Sequence, residues 1–289
     1  MREMAITYDS IMGYEVPEIT QILSDTDCIL YALGVGFGTQ PVHPGHLRHV
    51  YEDGLEVLPM MANVVAYPGF WLKDPAAGVD WKRVLHGEQV CTIHRPIPFG
   101  VKLRGRTRIV GVDDKGAAFG AFMFARRDVV EEATGEAVCT LEQTTLLRGD
   151  GGCGGRDARP RPVHRLPRRE PDLHHDLAVA PEAALVYRLS GDRNPLHVDP
   201  TVAKAAGFER PILHGMCTMG YAGHAVMAAV CDYDGSRIRT MQVRFTAPAY
   251  PGETLRTEMW IDDDVVSFRT RALERDTVVL GNGKVELST

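Results

Sequence analysis

The stretch YRLSGDRNPLHVDP, Tyr187 to Pro200, sets an Asp, an Asn and a His on one short, proline-stiffened turn. Asp192 and His197 lie five residues apart, with Asn194 and Pro195 between them. A loop that only connects two elements has no need of that set. What flanks the turn is regular. Pro181–Leu189 reads as a short helix stopped at Gly191 by the left-handed cap preference of glycine. Downstream, a longer helix is expected from about His214–Gly215 to Cys231, with Met216, Met219, Ala222, Val226 and Val230 at helical spacing.

Four strands should follow. Met241, Val243, Phe245 and Ala247 alternate with polar neighbours. Leu255, Thr257, Met259 and Ile261 share a face, as do Val266, Phe268, Thr270 and Ala272, and a last strand runs near Val278–Leu287. Such alternation marks antiparallel strands with one face on a core. The first half ends similarly. Leu103, Thr107 and Ile109 alternate with Lys102, Arg104, Arg106 and Arg108. A DDKG turn (Asp113–Gly116), an apolar strand Ala117–Ala125 and a strand Val138–Leu147 follow. The candidate central helix of that half is LPMMANVVAYPGFWL, Leu58–Leu72. A central helix wrapped by an antiparallel sheet, made twice, is an α+β solution.

The halves read as distant copies. Pro96, Gly100, Leu103 and Arg104 recur at Pro248, Gly252, Leu255 and Arg256, an offset of 152, and Tyr31-Ala32-Leu33 recurs as Tyr187-Arg188-Leu189, an offset of 156. A second LHG, offset by 128, is out of register with both. Between the halves, Arg148–Asp176 is rich in Gly, Pro and Arg and has no apolar period, which reads as a surface linker. The expected division is 1–148, a linker at 149–178, and 179–289.

The chain's 289 residues, 44% of them apolar, suffice for two cores. A net charge of −6 with mixed signs argues against a nucleic-acid surface. The six cysteines include no C-x-x-C pair. The N-terminus lacks a secretory apolar core, no window approaches a membrane span, and the final LST is no peroxisomal address. A reduced, cytoplasmic protein is the expectation.

An Asp and a His held together can take and return a proton near neutral pH. Hydration of a carbon–carbon double bond beside a carbonyl needs that pair, plus a donor aimed at the carbonyl oxygen as it gains enolate charge. Gly215 supplies such a donor, because the first N–H groups of a helix are unsatisfied and glycine admits a ligand close to the backbone. Asn194 can fix a water or a carboxylate. Plainer readings stand beside this one. G-D-x-N-P can be a turn bonding its own backbone, and His197-x-Asp199 can suggest a metal, although no third ligand sits at a typical spacing. HPGHLRH, His43–His49, reads as a solvated loop.

YRLSGDRNPLHVDP, followed by AGFERPILHGMCTMG (Ala206–Gly220), resembles the hydratase 2 signature of MaoC-like (R)-specific enoyl-CoA hydratases. DCILYALGVG (Asp27–Gly36), VLP (Val57–Pro59), LHGEQ (Leu85–Gln89), DDKG, GGCGG (Gly151–Gly155) and RFTAPAYPGETL (Arg244–Leu255) extend the likeness over essentially the whole chain. The family includes the hydratase 2 unit of peroxisomal multifunctional enzyme type 2.

The resemblance implies a double hot dog fold and reversible hydration of trans-2-enoyl-CoA to (3R)-3-hydroxyacyl-CoA in fatty-acid or sterol side-chain β-oxidation. It implies no metal or redox cofactor, an acyl-CoA partner and a homodimer. The catalytic turn is kept only in the C-terminal unit. In the N-terminal unit Gly36 and Pro41 stand opposite Asp192 and His197, and the emptied half gives room to the acyl chain. Asp192 and His197 would activate water, Asn194 would help hold them, and the Gly215 N–H would form the oxyanion hole. His86, Gly87, Lys115 and Phe245 would contact the CoA part. The rival is a non-catalytic or thioesterase-like acyl-CoA-binding protein, whose turn would be expected to decay at Asp192 or His197.

Overall fold

The structure, a computed structural model, describes residues 6–288. What was read from the first five residues and from Thr289 lies outside them. In chain order the elements of the first half are α1 (Tyr8–Met12), β1 (Ile19–Ile22), α2 (Asp25–Gly34), α3 (Pro44–Val50), β2 (Val84–Ile93), β3 (Lys102–Asp114), β4 (Ala121–Glu131) and β5 (Ala137–Leu147). The second half adds β6 (Leu173–Ala178), α4 (Ala183–Tyr187), α5 (Pro200–Ala205), α6 (Gly215–Val230), β7 (Ile238–Phe245), β8 (Thr254–Asp262), β9 (Val265–Ala272) and β10 (Thr277–Leu287).

The strands form one antiparallel sheet in the order β1-β3-β4-β5-β2-β7-β10-β9-β8-β6. Read outward from the central β2–β7 pair, the two sides correspond strand for strand, β1 to β6 through β5 to β10. The offset of 152 maps the start of β3 onto the start of β8. The copies meet edge to edge, with Glu88–Thr92 paired to Arg244–Thr240, so neither central edge is left unpaired.

The short helices α2 and α3 recur as α4 and α5 at the offset of 156, but the long central helix is not duplicated. α6 forms as expected: it is apolar nearly all round, and residues 217–227 are buried. Leu58–Leu72 does not. It makes a single 3-10 turn at Pro59–Asn63, then a chain with Ala66 at φ 45°, and a second short turn at Trp71–Lys73. Two causes act together. Pro68 in a helix interior would lose a hydrogen bond and strike the carbonyl of residue 64, and Val64 and Val65 are weak helix formers. The flattened segment presses on the sheet instead, and a Cβ at Gly105 of β3 would lie 2.6 Å from the Ala66 carbonyl oxygen. It also packs on α6, where a Cβ at Gly223 would lie 2.6 Å from Met60. One long helix thus serves both halves, and the main core runs through both of them.

Three other expectations shift. The strand placed at Ala117–Ala125 begins at Ala121 and runs to Glu131, because residues 115–120 close a turn through Lys115 N–H to the Gly120 carbonyl. HPGHLRH is not a solvated loop. Residues 44–50 are helical, and the i, i+3 spacing puts His46 and His49 on one buried face beside Phe37 and Tyr233.

The segment taken as linker is strapped to the sheet. Arg156 bridges Asp113, Arg159 pairs with Glu88, Arg161 with Glu142, His164 with Ser267, and the Arg169 carbonyl accepts from Trp260. Its last residues, 173–178, are strand β6, paired with β8. The arginines fail to look like a free linker because their carboxylate partners lie on strands far away in sequence.

Candidate active site

The turn is built from local bonds. Gly191, at φ 123°, ends the α4 region in a conformation that disfavours side chains. The Asp192 carboxylate accepts from the Asn194 N–H at 3.2 Å, and the Asn194 side-chain oxygen accepts from the Leu196 N–H at 3.2 Å. Pro195 then starts the 3-10 turn that carries His197. Asn194 is therefore a cap that shapes the turn. Asp199 is also a cap, accepting from the N–H groups of Thr201 and Val202. That bond explains the His197-x-Asp199 spacing without a metal.

His197 is buried, and its Nδ1 lies 2.9 Å from the Ile212 carbonyl oxygen. A carbonyl can only accept, so Nδ1 carries the hydrogen and Nε2 keeps its lone pair. Burial lowers the His197 pKa, against an opposing pull from the Asp192 charge and the Ile212 carbonyl. The ring is thus a neutral base at neutral pH.

His214, just before α6, went unmarked in the sequence as a site residue. Its ring stacks on His197 with centroids 3.8 Å apart and planes at 30°. Its Nε2–H donates to the Asp192 backbone carbonyl at 3.1 Å. Burial, and then His197, hold its pKa down to about 2. The only available signal was its place in ILHG, immediately before the helix. Donor atoms of Asp192, His197 and His214 all lie within 4.8 Å of one another. That set can hold a divalent ion in principle. With one nitrogen of each ring committed to a carbonyl, and the rings stacked rather than meeting edge to edge, it is better arranged for moving protons.

Gly215 is the first residue of α6, and no side chain caps this helix. Its N–H joins the positive end of the helix dipole. A Cβ here would come within 3.1 Å of the Phe245 ring. Phe245 in turn packs on the His86 ring at 4.7 Å. His86 Nε2–H donates to the Gln89 side-chain oxygen at 3.1 Å, and burial lowers its pKa to about 4. Gly87 sits at an irregularity where β2 shifts register against β5, and a Cβ there would lie 3.1 Å from the Thr144 carbonyl oxygen.

The structure thus gathers Asp192, Asn194, His197 and Gly215 in one place and sets Phe245, His86 and Gly87 alongside. Lys115 stands apart on an exposed turn, its ammonium 2.7 Å from the Asp113 carboxylate. That turn is anchored by Asp114, which accepts from the N–H groups of Gly116, Gly152 and Gly154. Those bonds give GGCGG a local reason. The first half contributes Tyr67, a half-buried phenol whose pKa is raised by burial and then by the Asp192 charge.

Comparisons with known proteins show the family and the fold. The family model "MaoC like domain" matches residues 163–282, and "MFE-2 hydratase 2 N-terminal domain" matches residues 22–149. "Enoyl-CoA hydratase 2, peroxisomal" of Arabidopsis thaliana is 36% identical, covering 94% of this chain and 93% of that protein. "Enoyl-CoA hydratase ChsH3" of Mycobacterium tuberculosis is 37% identical, covering 98% and 99%. The crystal structure of a MaoC-like dehydratase from Phytophthora capsici superposes with a TM-score of 0.85 at 30% identity, covering 97% of this chain and 98% of that one. A Mycobacterium tuberculosis protein described as having a double hotdog fold matches with a TM-score of 0.58 at 18% identity, covering 95% and 94%, a likeness of fold alone.

Proposed function

The chain belongs to the MaoC-like hydratase 2 family with a double hot dog fold, and from that premise we propose that it hydrates trans-2-enoyl-CoA to (3R)-3-hydroxyacyl-CoA, reversibly, in β-oxidation. The observation that carries the reading is a neutral, buried His197 with a free Nε2, held against Asp192 beside the uncapped start of α6.

The thioester oxygen accepts from the Gly215 N–H. A water between the Asp192 carboxylate and His197 Nε2 gives up a proton to this pair as its oxygen bonds to the β-carbon. The displaced electron pair moves to the thioester oxygen, where the helix terminus meets it; donors of this kind are worth roughly 10²–10³ in rate. The pair then returns a proton to the α-carbon. Asn194 and His214 act by holding Asp192 in place through its carboxylate and its carbonyl. His86, Gly87 and Phe245 wall the entrance for the pantetheine arm, and Lys115 meets CoA phosphates once its ammonium leaves Asp113.

No metal or redox cofactor enters this scheme. The unit boundaries at 148 and 178 and a homodimer belong to the same reading. Six buried free cysteines fit a reduced cytoplasm. Among the described residues no helix is long and apolar enough to cross a membrane.

The test is loss of the conjugated-enoyl absorbance on mixing pure protein with trans-2-enoyl-CoA esters, with chiral analysis of the product. A 3R alcohol is expected. No turnover across chain lengths, with acyl-CoA still bound tightly, would overturn the reading in favour of a binding or thioesterase-like protein.

A further inference from the structure

The first half holds a charge that the reaction does not use. Arg127 of β4 points into the core, retaining 7% of its exposure. Its guanidinium lies over the Tyr67 ring at 5.2 Å, and its two hydrogen bonds, to the carbonyls of Ala62 and Asn63, both come from Nη2. Nε is sealed and without a partner, and among the described residues no carboxylate pairs with the group.

Two more orphans stand beside it. Thr107 faces Arg127 directly across the β3–β4 ladder, and its hydroxyl has no partner. Asn63, whose carbonyl Arg127 holds, has an unpartnered side-chain oxygen. Both residues are buried, at 9% and 6% exposure, and their orphaned oxygens are closed off from solvent, as is Arg127 Nε.

A buried cation without a counter-ion is costly, and so is each unmade bond. A brace for the 59–63 turn would need only the Nη2 contacts, and leucine packing would suit a purely hydrocarbon acyl chain better. Tyr67 lies under Arg127, and the Asn63 side-chain N–H donates to the Met219 sulfur at 3.6 Å, about one turn along α6 from Gly215. The cluster therefore borders the helix that begins at Gly215.

We propose that Arg127, with Thr107, receives a carboxylate on the far end of the acyl group, so that the preferred substrates are enoyl-CoA esters carrying a terminal carboxylate. This rests on the hydratase reading. Arg127 acts here as a specificity residue. It lies away from the reacting atoms.

The experiment compares kcat/KM for methyl-terminated and carboxylate-terminated trans-2-enoyl-CoA esters of matched length, with crotonyl-CoA as a reference too short to reach Arg127. The wild type should favour the carboxylate series by tenfold or more at one or more lengths. Arg127→Met should abolish or reverse that preference while crotonyl-CoA hydration stays within about threefold. A wild type that prefers methyl ends at every length overturns the proposal, as does an Arg127→Met variant that loses both series equally.

Should the variant not fold, inhibition of wild-type crotonyl-CoA hydration by saturated acyl-CoA esters decides the matter. A carboxylate-ended inhibitor should bind at least tenfold more tightly than its methyl-ended match, and equal or weaker binding overturns the idea. Absent crotonyl-CoA hydration would instead strike the reaction itself.

Discussion

The second half stacks His197 on His214 at 3.8 Å, and Phe37 of the first half stacks on His224 of α6 at the same 3.8 Å. In each pair the deeper histidine donates one ring N–H to a carbonyl of the neighbouring turn, Asp192 in one case and Val35 in the other. Each leaves its other nitrogen buried without a partner. Burial drives both pKa values far down, to about 2 and about 3. The packing is therefore nearly the same. What differs is the ring on top and the residue beside it. Phe37 offers no nitrogen where His197 offers Nε2, although by sequence offset Pro41 stands opposite His197, and Gly36, opposite Asp192, has no carboxylate. Packing holds both turns, and two side chains make the chemical difference between them.

The largest effect should come from removing that difference. Asp192→Asn keeps the shape of the turn and deletes the charge. Turnover should fall by about 10³-fold, while acyl-CoA affinity, read by fluorescence titration, stays near the wild-type value. A full-rate variant would remove Asp192 from the mechanism.

Restoring the difference in the first half should fail. Gly36 has φ 87°, and a Cβ there would lie 2.8 Å from the Tyr221 ring. Gly36→Asp should cost about 2–3 kcal/mol of stability in denaturant titration and add no turnover, either alone or in the Asp192→Asn background. A stable variant with a second active site would mean that the two turns are closer to interchangeable than their packing indicates.

The buried histidines also set an acid limit on the fold. His86, His214 and His224 have pKa values lowered to about 4, 2 and 3 from the ordinary 6.5. The unfolded chain then binds more protons than the folded one below pH 6.5. Stability from their neutral burial is full above pH 6.5 and is lost as the pH falls toward those values, by up to about 1.4 kcal/mol per pH unit for each group. Tm measured from pH 7 to pH 4 should drop, and His224→Phe, which extends the first half's aromatic packing, should lessen the slope. An unchanged slope would show that His224 does not stay neutral in the fold.

How far this was legible in the sequence follows from what is local. The turn at 187–200, α6 and the strands of the second half could be read because glycines, prolines and side-chain alternation act over a few residues. Leu58–Leu72 could not, since its run of Met, Ala and Val fits a helix by composition and only Pro68 and the sheet beneath Gly105 forbid one. His46, His49 and His214 looked incidental because the partners that bury them, Phe37, Tyr233 and His197, come from elsewhere in the chain. The linker arginines failed for the same reason, their carboxylates being Glu88 and Glu142. In the site, Asp192 and His197 were legible as a pair, whereas the group that steadies them, His214, becomes visible only through a ring stack.

A smaller effect should come from making the second pair resemble the first. His214→Phe keeps the ring stack but removes the N–H that holds the Asp192 carbonyl. The turn also has its own bonds through Asn194 and Gly191, so it should survive with Asp192 less well fixed. Losing one hydrogen bond of about 1 kcal/mol corresponds to roughly a tenfold or smaller drop in kcat, with KM little changed. Chelation separates this from a metal role, because Asp192, His197 and His214 also present three donors within 4.8 Å. If His214 only steadies Asp192, wild-type turnover is untouched by EDTA, and His214→Phe is slow whether or not divalent ions are added. If turnover falls in EDTA and returns with zinc, the pair differs from Phe37 and His224 by holding a metal rather than by moving a proton.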